Sequence, residues 1–388
     1  MFTWVAVVGL ACMWLVAIVR APAAVGHPQQ RALWLAVTLI AFTTTLHMEP
    51  VTQALGGLVG DVTAVVLFKH LCDVVASTAM LHFVLHSVGY RGYQSSLFSF
   101  AAAVSVTLVW INLAMAPGDG VATPELELPT HYWVILFGFH LAADIAVVAT
   151  CWRYCGRAEQ WALRWALFIF GLGTAFACVL WAMFLTYVVV RAEPILEWTL
   201  LVTGVEEILQ ATGAAIPMVP GIQRTLASRR ALWRLWPLWR DLTSATPEVT
   251  LITSRYRLRD VLRRVRAVDL RLYRVVIEIR DSILILGGRV SRELLDRARA
   301  HVAEHGAPGS NLDAAVVACV ISAARRRKAA RPDGGALTLV ELGGDDLRGE
   351  IAYLTRIAAA TSSSVTSSFL DRLAVEGDAP VGQRTQGG

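Results

Sequence analysis

Apolar residues fill the first 220 positions in long runs, and the remainder of the chain alternates apolar and charged positions at helical spacing. A helix needs about 20 mostly apolar residues to cross the hydrocarbon core of a bilayer. Seven runs approach or exceed that length: roughly Phe2–Val19, Ala32–Met48, Val62–Val88, Ser96–Ala116, Tyr132–Cys151, Ala162–Val190 and Leu196–Val219. The second is the shortest and the least defined at its end. Beyond Tyr256 the period changes. Leu258, Leu262, Val265, Leu272, Val276, Ile279, Ile283 and Leu286 step by threes and fours, the mark of an amphipathic helix. Asp269 is the one gap in that series. Asp favours helix starts, so "AVDLRLY" reads either as helix interior or as a joint between two helices. Gly287 and Gly288 stop the run. Later helices are expected over Ser291–His305, Asn311–Lys328 and Asp346–Leu373, with at most one short strand in "ARPDGGALTLVELGGDD".

The expected fold is therefore all-α. A seven-transmembrane helix bundle occupies 1–220, a juxtamembrane Trp/Arg linker 221–255, and a helical cytoplasmic domain 256–375. A tail rich in Gly, Pro and Gln, 376–388, is expected to be disordered.

Composition agrees with this division. Of 388 residues, 55% are hydrophobic and the mean hydropathy is +0.53. Only 17% are charged, against about a quarter in an average soluble protein. Up to Pro220 there are 8 Lys/Arg and 12 Asp/Glu; from Gly221 onward there are 27 and 18. An apolar, slightly acidic half thus precedes a basic, charge-rich one. The six cysteines form no C-x-x-C and lie mostly in apolar runs, which argues for free buried thiols over disulfides or a zinc module.

Loop charges orient the spans. Arg20 and Arg31 follow the first run, and Arg153, Arg157 and Arg164 follow the fifth. Arg91 follows the third, and Arg224, Arg229, Arg230 and Arg234 follow the seventh. The loop after the second run has Glu49 and Asp61 but no base, and "PGDGVATPELELPTH" has three carboxylates and no base. Positive charge in alternate loops places the N-terminus outside and the C-terminus in the cytoplasm. No basic residue precedes the first run, so it reads as a retained anchor and not a signal peptide.

Ionisable residues inside spans are costly and usually face the bundle interior or a wet cavity. The third run carries Lys69, His70 and Asp73, the fifth His140 and Asp144, and the seventh Glu206 and Glu207. Lys69 with Asp73, and His140 with Asp144, are spaced i,i+4 and can pair within one helix. Glu206 and Glu207 point about 100° apart on a helix. These seven residues are the expected binding groups for a proton, a cation or a small zwitterion, unless they serve only as interhelical glue.

At the junction, "RRALWRLWPLWRDL" interleaves Trp233, Trp236 and Trp239 with arginines, among them Arg230 and Arg234. Trp and Arg suit the headgroup layer, and a basic segment there attracts anionic lipid. The bilayer is the expected partner, joined by a cytoplasmic protein or a second copy of the chain. No nucleic-acid module follows, so the basic charge is not read as nucleic-acid binding.

Enzyme motifs are missing. There is no phosphate-cradling glycine loop and no G-x-S-x-G, and no catalytic residue or cofactor is expected. "HVAEH" (His301 to His305) fits H-x-x-E-H, but with Glu304 as a base no third ligand is evident, and a solvated helix end is the expectation. "ELGGDDL" bears a faint likeness to a cyclase signature whose alternating strands and helices are absent here. "TSSSVTSS" (Thr361 to Ser368) reads as a polar helix face.

Seven spans leading into "LWPLWRDLTSATPEV" and "LRLYRVVIEIRDSILIL" resemble an actinobacterial family of uncharacterised membrane proteins, often labelled transporters, with a C-terminal domain of unknown function. The resemblance implies an actinobacterial plasma membrane and supplies no catalytic residues. Two classes of function are open: passage of a small solute or ion through the polar core, or sensing, with the seventh span signalling to the cytoplasmic helices.

Overall fold

A computed structural model describes residues 3–25, 28–90, 92–114, 128–249, 265–305, 312–326 and 346–377. They are helical throughout, with no strand among the described residues. The chain divides into two compact units, Met1–Pro220 and Gly221–Gly388.

The first unit contains α1 (Thr3–Ala24), α2 (Pro28–His47), α3 (Glu49–Val59), α4 (Val62–Ser87), α5 (Gln94–Ala114), α6 (Thr130–Cys155), α7 (Trp161–Val190) and α8 (Pro194–Ala215). Five of these, α1, α4, α5, α6 and α7, are long and apolar enough to cross a membrane. The number rises to six if α2 and α3 count as one broken span, bent by 77°. Seven crossings are therefore not given by length and composition alone. In α8 the apolar content is diluted by Glu197, Glu206, Glu207 and Gln210.

Residues 49–59, expected to be loop, form α3. The break has a local cause. Pro50 has no N–H to give the Leu46 carbonyl four residues back, and its ring would clash there, so α2 cannot continue through it. The chain turns at Met48, extended at ψ 129, and Pro50 sits in the first turn of α3. Gly60 then ends α3 at φ 74, in the left-handed region that glycine adopts without penalty. Asp61 caps α4, its side chain accepting from the backbone N–H of Thr63 and Ala64.

Six helices close into a ring: α1 packs on α2, α2 on α4, α4 on α6, α6 on α7, α7 on α8, and α8 back on α1. α5 lies outside this ring against α4 and α6. Glycines allow the closest approaches. A Cβ on Gly204 of α8 would lie 2.5 Å from the Val5 carbonyl carbon of α1. One on Gly213 would lie 2.7 Å from the Phe170 nitrogen of α7, and one on Gly173 of α7 2.9 Å from the Gln210 nitrogen. With little hydrophobic drive between helices in lipid, small residues of this kind create the packing contact. Val5, near the start of α1, meets Gly204 at the middle of α8, and Arg20, near the end of α1, donates to the Ala214 carbonyl at the end of α8. The two helices therefore run parallel.

The second unit is formed by α9 (Val219–Ala245, entering from the first unit), α10 (Val265–Gly287), α11 (Arg292–Glu304), α12 (Leu312–Arg326), α13 (Leu347–Thr361) and α14 (Ser364–Gly377). Its core is built around α12, ten of whose 15 residues are buried. A helix apolar on all sides belongs at the centre of a domain, and α10, α11, α13 and α14 all pack on it. α10 runs unbroken through Asp269, so "AVDLRLY" is helix interior. The single helix expected over 346–373 is two. Ser362 and Ser363 separate them, and Ser363 Oγ accepts from the Thr366 N–H to start α14. The expected strand (330–345), the acidic loop at 117–127, Leu258, Leu262 and the tail beyond 377 lie outside the described residues.

Candidate functional site

Asp73, His70, His140 and Asp144 each meet a side chain of another helix. Asp73, roughly 16 Å along α4 from its start at ~1.5 Å rise per residue, accepts from His47 Nε2 at 2.8 Å. His47 is the last residue of α2, so the α2–α3 break falls beside Asp73. His70, one turn from Asp73, is 5% exposed; its Nδ1 lies 2.9 Å from the Tyr132 hydroxyl of α6, and its ring packs on Trp133. Lys69 is 3% exposed beneath α3, with Nζ 3.5 Å from Thr52 Oγ1. That same Thr52 hydroxyl donates to the Leu46 carbonyl at 2.8 Å, satisfying one of the acceptors orphaned where α2 stops. Lys69 and Asp73, spaced i,i+4, thus both have contacts outside their own helix, to Thr52 and to His47.

His140 and Asp144 are joined through α7. Trp181 stacks on the His140 ring at 4.4 Å between centroids and donates its Nε1–H to Asp144 Oδ2 at 2.8 Å. Ser77 of α4 lies 2.7 Å from His140 Nδ1. His140 Nε2 is buried without a hydrogen bond. On α8, Glu206 Oε1 accepts from Gln210 Nε2 at 3.1 Å and is electrostatically coupled to Asp144. Glu207, 2% exposed, points instead toward α1 and α2. A Cβ on Gly9 would lie 2.7 Å from its Oε2, and the Thr44 hydroxyl is its nearby polar side chain. The two adjacent glutamates do face different neighbours, as their angular separation requires.

The ring interior therefore holds a sequence of polar groups. It runs from Tyr132 and His70 through Asp73, held by the exposed His47, then His140 with Ser77, Trp181 with Asp144, and Gln210 with Glu206. Asp73 lies within electrostatic reach of His140 and His70 as well as of His47. α4, α6 and α8 do not form this path by themselves; α7 intervenes through Trp181, and α2 contributes His47. Both were missed in the sequence. His47 sits at the poorly defined end of the second run, where an interfacial His is unremarkable. Trp181, Tyr132 and Ser77 carry no charge to draw notice in an apolar run. The signal that was available for His47 is the Glu49-Pro50 pair that breaks its helix.

The aromatic residues of the junction divide into two sets. Trp233 is 41% exposed, and Arg230 and Arg234 are exposed beside it. Trp236 and Trp239 are core residues of the second unit, 9% and 3% exposed. Trp239 Nε1 donates to Glu278 of α10, and the Arg271 guanidinium lies 4.7 Å over the Trp239 ring. Their spacing explains the difference. Leu232, Leu235, Trp236, Leu238, Trp239 and Leu242 form one helical stripe buried in the core of the second unit, and Arg230, Trp233, Arg234 and Pro237 form the opposite, exposed one. The segment is a helix of the folded unit and not a free linker, and only its outer stripe keeps the composition of a membrane-surface segment.

Residues 224–363 match a family of unknown function, DUF6545. The match begins within α9, covers most of the second unit, and includes none of the buried polar residues of the first. No curated protein and no solved structure matches the chain.

Proposed function

We propose that the protein is a transporter of a small solute or ion, with the His47–Asp73 pair at the α2–α3 break as its binding site. The broken helix carries this reading. Interrupted backbone at membrane depth is tolerated where it lines a protein-enclosed or wet cavity, and transporters place ligand sites at such breaks. Here the break stands beside an acid–imidazole pair. The linked groups His140, Asp144, Glu206 and Gln210 continue from it across the ring and provide stations for a proton or small cation.

On this reading the chain crosses the plasma membrane seven times, N-terminus outside and C-terminus in the cytoplasm. The parallel course of α1 and α8 supports an odd number of crossings, and the loop charges support the direction. Full-length protein reconstituted in vesicles with an internal pH dye is expected to pass protons under an imposed potential or solute gradient. Asp73→Asn and Asp144→Asn are expected to reduce that flux to the level of empty vesicles. Normal flux in both variants, at wild-type yield, sinks the proposal.

A second reading, sensing, draws on one observation. Glu206 and Glu207 lie on α8, which leads through the 3₁₀ turn Ile216–Met218 directly into α9, a core helix of the second unit. Ligand or proton binding at α8 would then be passed along the chain to a cytoplasmic partner. Absence of any flux, together with a change in α9 accessibility when pH or solute is varied, would favour sensing over transport.

A further inference from the structure

At the C-terminal end of α11, His301, Glu304 and His305 offer one ligand atom each within 4.8 Å of one another. His301 is 4% exposed, covered by α14. Its Nε2 lies 3.1 Å from the Val365 carbonyl oxygen and 3.1 Å from Ser368 Oγ. A carbonyl oxygen only accepts, so Nε2 carries the hydrogen and Nδ1 is left with its lone pair. That Nδ1 is buried and makes no hydrogen bond. The same logic fixes His305, whose Nδ1 lies 2.8 Å from the His301 carbonyl oxygen. Nδ1 is the donor, and Nε2 keeps its lone pair. The two rings are 4.2 Å apart. Arg372 Nη1 holds one Glu304 oxygen, Oε2, at 3.0 Å, leaving Oε1 available.

We propose that His301, Glu304 and His305 form a binding site for a divalent transition-metal ion, with Zn²⁺ the best match. Two imidazoles and a carboxylate are a recognised zinc donor set. Both imidazoles already donate their other N–H to a backbone carbonyl, the arrangement that orients a ligating histidine and sets its tautomer. The sequence pattern alone suggested a base at Glu304 and hence only two ligands; the geometry makes the carboxylate the third. A fourth position is left for water or an incoming group. Arg372 lowers the affinity by its charge and holds the carboxylate in place. Because His301 is packed under α14, an ion here would tie the end of α11 to that helix.

The test uses the full-length chain in detergent, treated with chelator and titrated with Co²⁺ at neutral pH. Wild type is expected to show the visible absorption of low-coordinate Co²⁺, bleached by one equivalent of Zn²⁺. Zn²⁺ is also expected to raise the unfolding midpoint of the second unit. His305→Ala and Glu304→Gln, both at exposed positions, should fold normally and weaken binding about tenfold or more. No Co²⁺ absorption in wild type, or equal absorption and Zn²⁺ stabilisation in wild type and both variants, would overturn the proposal.

Discussion

Trp181 touches two of the buried ionisable groups at once, and its two contacts can be separated. Trp181→Phe keeps an aromatic face for His140 but removes the N–H that Asp144 accepts. Hydrogen bonds between membrane helices average about 0.6 kcal/mol, so a stability loss near ~1 kcal/mol is expected, read as a lower unfolding midpoint in detergent. The flux of reconstituted protein is expected to fall further than stability does if Asp144 is a station on the path. In the second unit, the Tyr353 hydroxyl is buried without a hydrogen bond. Burial, with Asp313 adding, pushes its ionisation up to about 12 from an ordinary 10. A folded state that holds the proton more tightly than the unfolded one loses stability as pH rises between those values. Denaturant unfolding of the second unit should therefore weaken from about pH 10 to 12. Tyr353→Phe should abolish that contribution and stabilise by about 1 kcal/mol, since an unsatisfied buried donor costs ~1–3 kcal/mol. At this scale the sequence was informative only for charge. Asp73, Asp144, Glu206 and Glu207 stand out in apolar runs; the first three fall in the polar series across the ring, and Glu207 faces α1 and α2. Their partners do not stand out, because Trp, Tyr and Ser are ordinary in spans and their pairing is decided by helix neighbours distant in the chain.

Helices meet in the first unit through missing side chains. Gly204→Leu puts its Cβ within 2.5 Å of α1 backbone, and backbone cannot give way as a flexible side chain can. Overpacking costs ~1–3 kcal/mol, so a sharply reduced yield of monodisperse protein is expected on size-exclusion chromatography. Gly138→Ala on α6 meets nothing within 4 Å and should leave the yield unchanged. Period and length made most elements legible, including the apolar steps of α10, left open only at Asp269, and a helix over the residues of α12. The bend between α2 and α3 was not, because 11 residues are too few to read as a span and Glu49 with Pro50 suits a loop as well as a helix start. Serines misled in the same way. Within "TSSSVTSS" they terminate α13 and cap α14, local hydrogen bonds that compete with continued helix. In α9 the interleaving of Trp and Arg concealed two opposite faces, and only the position of α10 decides which indoles are core.

The molecule as a whole is two units, one apolar and one charge-rich, and that division is the most legible feature of the chain. The order of helices around the first unit's ring is not written there, since apolar spans carry little to specify neighbours. That order has a consequence for how the protein is made. α1 and α8 are packed side by side, with Arg20 bonded to the Ala214 carbonyl and Gly9 against Glu207. About 190 residues separate the ends of those two helices. At a synthesis rate of about 5–20 residues per second, α8 emerges some ~10–40 s after α1. For that interval α1 has α2 beside it but no α8 against its glycine face, and the bundle is an open crescent whose polar groups lack their last neighbour. Closure of the ring must wait for α8, and a ribosome stalled anywhere before residue 214 would leave Arg20 without its carbonyl and the ring open.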